Sequence, residues 1–139
     1  MSDSRREDGM RVRREVLGDA YVDAAVAGTT PFSSEFQDFI TRVAWGDVWS
    51  RPGLDRRARS CITLGVLAAL GREGEIALHV RAALRNGLSP AEIAEVLLHT
   101  SVYAGIPAAN AAFKIAQNVI DSGDLGDPID GGEPAGPGE

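Results

Sequence analysis

Apolar residues recur along this chain at spacings of three and four, the pattern of amphipathic helices, and nowhere alternate for more than a few residues as strands would. Residues 4–17 predict a charged helix that ends near Gly18. Ser34 and Gln37 stand at capping-box spacing, and Phe36, Phe39, Ile40 and Val43 continue as a helix to about Trp45-Gly46. Arg51-Pro52-Gly53 breaks the chain. Asp55 is placed to cap a helix to Leu70, with Gly71 as its stop. A further helix covers about 73–86 and ends at Gly87, a residue suited to the left-handed conformation. Ser89-Pro90-Ala91-Glu92 is the clearest start signal: serine caps, proline takes the first helical position and glutamate completes the box. That helix runs to about Tyr103. Gly105-Ile106-Pro107 punctuates, and Pro107 opens a last helix to about Asp121. Six helices without a strand predict an all-α fold.

Two of these helices carry more apolar surface than a small monomer covers. The helix 55–70 is wholly apolar after Thr63. The last helix has a polar stripe of Asn110, Lys114, Gln117 and Asp121, with Asn118 the chief exception in an otherwise apolar surround. A helix apolar on most sides is buried on most sides. The pattern therefore predicts a homo-oligomer.

Composition narrows the class. The 139 residues suit one domain, residues 1–121, and 44% hydrophobic content allows a real core, built mostly of Ala, Leu and Val because aromatic residues make up only 6%. Residues 122–139 carry five acids, six glycines, three prolines and no base, which predicts a disordered acidic tail. Without it the net charge of -6 becomes nearly neutral, with 14 bases against 15 acids. No basic stripe suits nucleic acid. No apolar run is long enough to span a membrane, and the N-terminus shows no secretory signal. The single cysteine, Cys61, forms no intrachain disulfide, which by default predicts the cytoplasm. Thirteen of the 14 basic residues are arginine, compatible with coding bias or with a need for planar, two-point carboxylate binding.

Candidate chemistry starts at His79, which lies between Leu78 and Val80 on an apolar helix. Two readings stand: a core histidine bonded to a backbone carbonyl, or a proton-transfer group tuned by burial and by Glu75 four residues earlier. His99, one turn after Glu95, reads as part of a solvated charge pair. Two histidines without other clustered ligands do not make a metal site. Cys61 reads as a packing residue rather than a nucleophile. Arg56, Arg59, Ser60 and Thr63 share one helix side, either solvated or lining an anion pocket. Trp45 and Trp49 flank a helix end beside Arg51, as wall or as core. Asn110 reads as solvent-exposed.

Four stretches resemble the 4-carboxymuconolactone decarboxylase (γ-carboxymuconolactone decarboxylase) family. They are RREVLGDAYVDAA at 13–25, FQDFITRVAWGDVWSRPGLDRRARSCIT at 36–63, LHVRAALRNG at 78–87 and YAGIPAANAAF at 103–113. The resemblance runs from Glu15 to about Ile120, and WGDVWSRPGL and AGIPAANAAF are its most specific parts. It implies a six-helix alkylhydroperoxidase D-like fold, assembled as a trimer or hexamer. The redox cysteines of alkylhydroperoxidase D-like proteins would fall at Arg72 and Glu75, and their upstream glutamate at Ser60. Thiol–disulfide cycling needs a nucleophilic thiolate and a resolving partner, so a peroxidase reading fails.

The resemblance further implies decarboxylation of 4-carboxymuconolactone to 3-oxoadipate enol-lactone, in the protocatechuate branch of the β-ketoadipate pathway. The partner is then a small dicarboxylate lactone, and no cofactor is called for because the substrate holds its own electron sink. The roles implied are His79 for the proton or the enolate oxygen, with Glu75 raising its pKa and orienting it. Arg51 and Arg59, and after them Arg81, would bind carboxylate, and Trp45 would form an apolar wall. The alternatives are a decarboxylase or isomerase for a related lactone, and a non-catalytic helical oligomer that binds a small acid or a partner protein.

Overall fold

A computed structural model of the protein describes residues 4–123. The elements are α1 (Ser4–Leu17), α2 (Asp19–Ala27), α3 (Ser34–Phe39), a π-helical segment π1 (Ile40–Trp49), α4 (Arg56–Leu70), α5 (Glu73–Arg85), α6 (Pro90–Ala104) and α7 (Ile106–Ser122). The fold is all-α, with no strand among the described residues. They hold seven α-helices and π1 where six helices were expected. The additional helix is α2, whose sequence DAYVDAAVA lacks a clear apolar stripe and buries only Val22. The predicted tail lies, from residue 124 on, outside the described residues. None of the helices is long and apolar enough to cross a membrane.

The chain divides between Asp55 and Arg56 into two compact units. In the first, α1 packs on π1. The two backbones touch because glycine stands at the crossing. A Cβ on Gly9 would collide with the Thr41 carbonyl oxygen, and one on Gly46 with the Arg5 carbonyl oxygen. Gly46 therefore lies inside a helix rather than at its end. Arg5 adds a two-point pair with Asp47 at 2.8 and 2.7 Å. Asp38 accepts from both Arg6 and Arg42 at 2.8 Å, which holds its carboxyl below the usual range. The expected box at Ser34 does not form. Ser33 is the N-cap, and its hydroxyl accepts from the Thr30 backbone N–H at 3.0 Å. Winding loosens at Ile40, next to Thr41, whose hydroxyl donates to the Gln37 carbonyl at 2.9 Å and so competes for the acceptor of the regular helical bond.

In the second unit, α4 to α7 enclose a core of Leu64 and Ala68, Ile76, Val80 and Ala83, Leu88, Ile93 and Leu97, and Ala112, Ala116 and Val119. The turn between α5 and α6 is fixed at both ends. The N–H groups of Gly87 and Leu88 donate to the carbonyls of Leu84 (3.1 Å) and Ala83 (3.0 Å), and Gly87 has φ +98°, a Schellman ending. The Ser89–Glu92 capping box is complete, at 3.1 and 2.9 Å. Arg57 reaches across from α4 to the Gly87 carbonyl and, at 2.5 Å, to Glu92. Ile62, Val66 and Leu70 on α4, and Leu98, Val102 and Tyr103 on α6, are exposed.

Candidate active site

α5 turns Ile76, Val80 and Ala83 inward, and His79 lies at the edge of that stripe, partly buried. Among the described residues its ring makes no hydrogen bond, nor are its nitrogens sealed from solvent. A core histidine would be bonded to a backbone carbonyl, and His79 is not. Burial, the one cause of its shift, pushes its pKa from 6.5 down to about 4. At neutral pH the ring is therefore uncharged, with one N–H to donate and one lone pair to accept.

This corrects the expectation for Glu75. The carboxylate is exposed in the first turn of α5 and neither bonds to His79 nor raises its pKa. Arg81, partly buried, follows His79 by two positions. At 3.6 residues per turn the two side chains leave α5 about 200° apart. Arg59 is partly buried on α4, where its carbonyl accepts from the Thr63 hydroxyl at 2.8 Å. The stripe on that side is not simply solvated. Ser60 is buried and accepts from Asn86 at 2.9 Å, tying α4 to the end of α5. Arg51 and Trp45 belong to the first unit. Arg51 is exposed. Trp45 is buried, and its ring stacks tilted against Trp49 with centroids 5.0 Å apart.

His99 forms no ion pair with Glu95 among the described residues. Its ring lies 5.3 Å from that of Tyr103. Both His99 and Glu95 line an open groove of about 600 Å³ between α4 and α6, opposite Cys61, Ile62 and Val66. His79 does not line that groove. The groove continues the exposed apolar stripes, so we read it as part of that surface and His79 as a separate feature. Asn110 is exposed, as expected. Among the described residues no three His, Cys, Asp or Glu side chains gather as metal ligands would.

One residue escaped the sequence reading. Arg13 is 5% exposed. Its guanidinium donates to Thr41 Oγ1 at 3.3 Å and Gln37 Oε1 at 3.1 Å, both neutral, and its Nε is buried without an acceptor. Burial lowers its pKa, Tyr21 opposes that in part, and Arg14 beside it adds the smallest, lowering effect. The signal was present: Arg13 follows Gly9 by four and precedes Val16 by three, so it lies on the buried stripe of α1.

The sequence profile of the carboxymuconolactone decarboxylase family matches residues 34–118. Over 127 residues the chain is 49% identical to a 4-carboxymuconolactone decarboxylase of Acinetobacter baylyi, covering 91% of this chain and 93% of that protein. Over 127 residues it is 42% identical to a nitrosuccinic acid decarboxylase of Metarhizium robertsii, covering 91% and 85% respectively. A 4-carboxymuconolactone decarboxylase sequence of Pseudomonas putida matches at 52% identity over 48 residues, 34% of this chain and all of that sequence.

Proposed function

This chain belongs to the carboxymuconolactone decarboxylase family, and we propose on that footing that it decarboxylates 4-carboxymuconolactone to 3-oxoadipate enol-lactone. The observation that carries this reading is the 49% identity, over nearly the whole of both chains, to a protein of that activity. Loss of carbon dioxide breaks the bond between the carboxylate and the γ-carbon and leaves the electron pair there. The pair moves through the ring double bond to the lactone carbonyl, giving an extended enolate. A proton added at the α-carbon completes the enol-lactone.

The chemistry asks the protein to hold carboxylates, to stabilise the enolate oxygen and to let one proton in. A neutral imidazole with both nitrogens open suits stabilisation of the enolate, since its N–H can donate to the oxygen where charge develops. As a resting imidazolium proton donor it is poorly suited, because a pKa of about 4 leaves little of the cation at pH 7. Arg51 and Arg59, with Arg81 after them, are the proposed carboxylate holders, and Trp45 the proposed apolar wall. We further propose an alkylhydroperoxidase D-like homo-oligomer, a trimer or hexamer in the cytoplasm serving the protocatechuate branch, supported by the exposed apolar stripes on α4 and α6.

A second reading is favoured by the 42% identity to a nitrosuccinic acid decarboxylase. Loss of carbon dioxide beside a nitro group also leaves an electron pair that the substrate itself delocalises. Both reactions make the same demands on the protein. One assay separates the readings: the purified protein is offered 4-carboxymuconolactone and, in parallel, nitrosuccinate, and carbon dioxide release is followed. Faster turnover of the lactone is expected; release from nitrosuccinate alone would replace the first reading by the second, and release from neither would end both.

A further inference from the structure

Helix α1 carries five arginines, and four of them face carboxylates: Arg5 faces Asp47, Arg6 faces Asp38, Arg11 faces Asp8, and Arg14 faces both Asp19 and Asp23. The fifth, Arg13, is the buried one; its hydrogen bonds go only to an amide oxygen and a hydroxyl, and the group that favours its charged form is the Tyr21 phenol, not a carboxylate. This inverts the ordinary arrangement, in which an exposed cation does without a partner and a buried one is paired. The carboxylate next in sequence to Gln37, Asp38, is already taken by Arg6 and Arg42. Gln37 and Thr41 stand one turn apart and orient the guanidinium without neutralising it, and the Thr41 hydroxyl is itself fixed by donating to the Gln37 carbonyl.

We propose that Arg13 is a carboxylate-binding residue, held in place by Gln37 and Thr41 for the acid group that the substrate keeps after decarboxylation. An uncompensated buried cation is costly, and such costs persist where a ligand supplies the missing charge. Arginine rather than lysine fits, since a planar fork held by two neutral acceptors still offers N–H groups to a planar anion. The substrates named for the two decarboxylase relatives are both acids. Their alignments leave about a dozen residues of this chain uncovered, so they extend N-terminally beyond the family match that begins at residue 34. The assignment of the bound acid as substrate rests on the proposed decarboxylase reading; the presence of a carboxylate site does not.

The test compares wild type, Arg13→Met and Arg13→Lys in two measurements. The first is thermal melting with and without succinate, a dicarboxylate that is not consumed. Wild type should melt higher with succinate. Arg13→Met should melt no lower than wild type without succinate, because it removes an unpaired buried charge, and should show no succinate response. The second is steady-state turnover of 4-carboxymuconolactone. Arg13→Met should raise KM about 10- to 100-fold with a smaller change in kcat, and Arg13→Lys, which keeps the charge but loses the fork, should fall between. A folded Arg13→Met with wild-type KM and succinate response overturns the proposal. So does an unfolded Arg13→Met combined with wild-type KM and succinate response in Arg13→Lys, which would make Arg13 a structural peg. If wild type does not turn over the lactone, the decarboxylase reading fails, and the succinate response alone decides the carboxylate site. A wild type with neither response overturns both.

Discussion

Replacing His79 with leucine should change how stability depends on pH, in a direction and amount set by burial. The folded pKa, about 4, lies below the ordinary 6.5. Between those values the unfolded chain binds more protons than the folded one, so stability attributable to a neutral His79 is full above about pH 6.5 and is lost as pH falls toward 4. At about 1.4 kcal/mol for each tenfold change in proton affinity, the whole effect is about 3 kcal/mol, of which about 2 kcal/mol falls between pH 7 and pH 5. Acid also weakens the protein through carboxylates held by arginine, such as Asp38 and Glu92. Those contributions are common to both proteins and cancel in the difference. The assay is urea unfolding of wild type and His79→Leu at pH 7, 6 and 5, at one protein concentration. Wild type should lose about 2 kcal/mol more than the variant from pH 7 to pH 5. Parallel losses would refute the reasoning: the imidazole would then titrate as if in water, and its assignment as a neutral donor would go with it.

Three further outcomes are expected. His79→Gln, which keeps an N–H donor but cannot titrate, should retain kcat within about tenfold of wild type, whereas His79→Ala should lose about 10²–10³-fold in turnover of the lactone; equal losses would point to proton transfer instead. Gly46→Ala should destabilise by about 1–3 kcal/mol or more in thermal melts, because its Cβ would meet the Arg5 backbone and α1 must move away. Ser89→Ala should cost about 1 kcal/mol in urea unfolding, and Ser89→Thr should recover most of it.

The sequence showed most where structure is decided locally. Gly71 and Gly87, the Ser89–Glu92 box and the break at Gly105-Ile106-Pro107 each depend on residues within a few positions of one another, and the helices they bound are found where expected. It showed least where an element is decided by its neighbour. Nothing local in Ile40–Trp49 announces π winding, and Gly46 reads as a helix end until α1 is seen lying against it. The site was legible in the same divided way. His79 was found by its setting on an apolar helix, but the sign of its pKa shift depends on burial that spacing from Glu75 does not reveal. Arg13 was hidden among arginines of one composition, and only the partners of the other four set it apart.

The turn between α5 and α6 has a consequence for the order in which the second unit assembles. Its Schellman bonds and its capping box close over stretches of six residues or fewer, so they require almost no chain to be brought together beforehand. The Arg57 contacts with Gly87 and Glu92, by contrast, span 30 and 35 residues. The turn can therefore form early, while the packing of α5 and α6 waits for α4 to dock against both. Shortening Ser89 to alanine should act chiefly on the folding rate, while removing the Arg57 side chain should act chiefly on the unfolding rate. The same few residues that mark a helix boundary in the sequence would thus serve as a starting point in time.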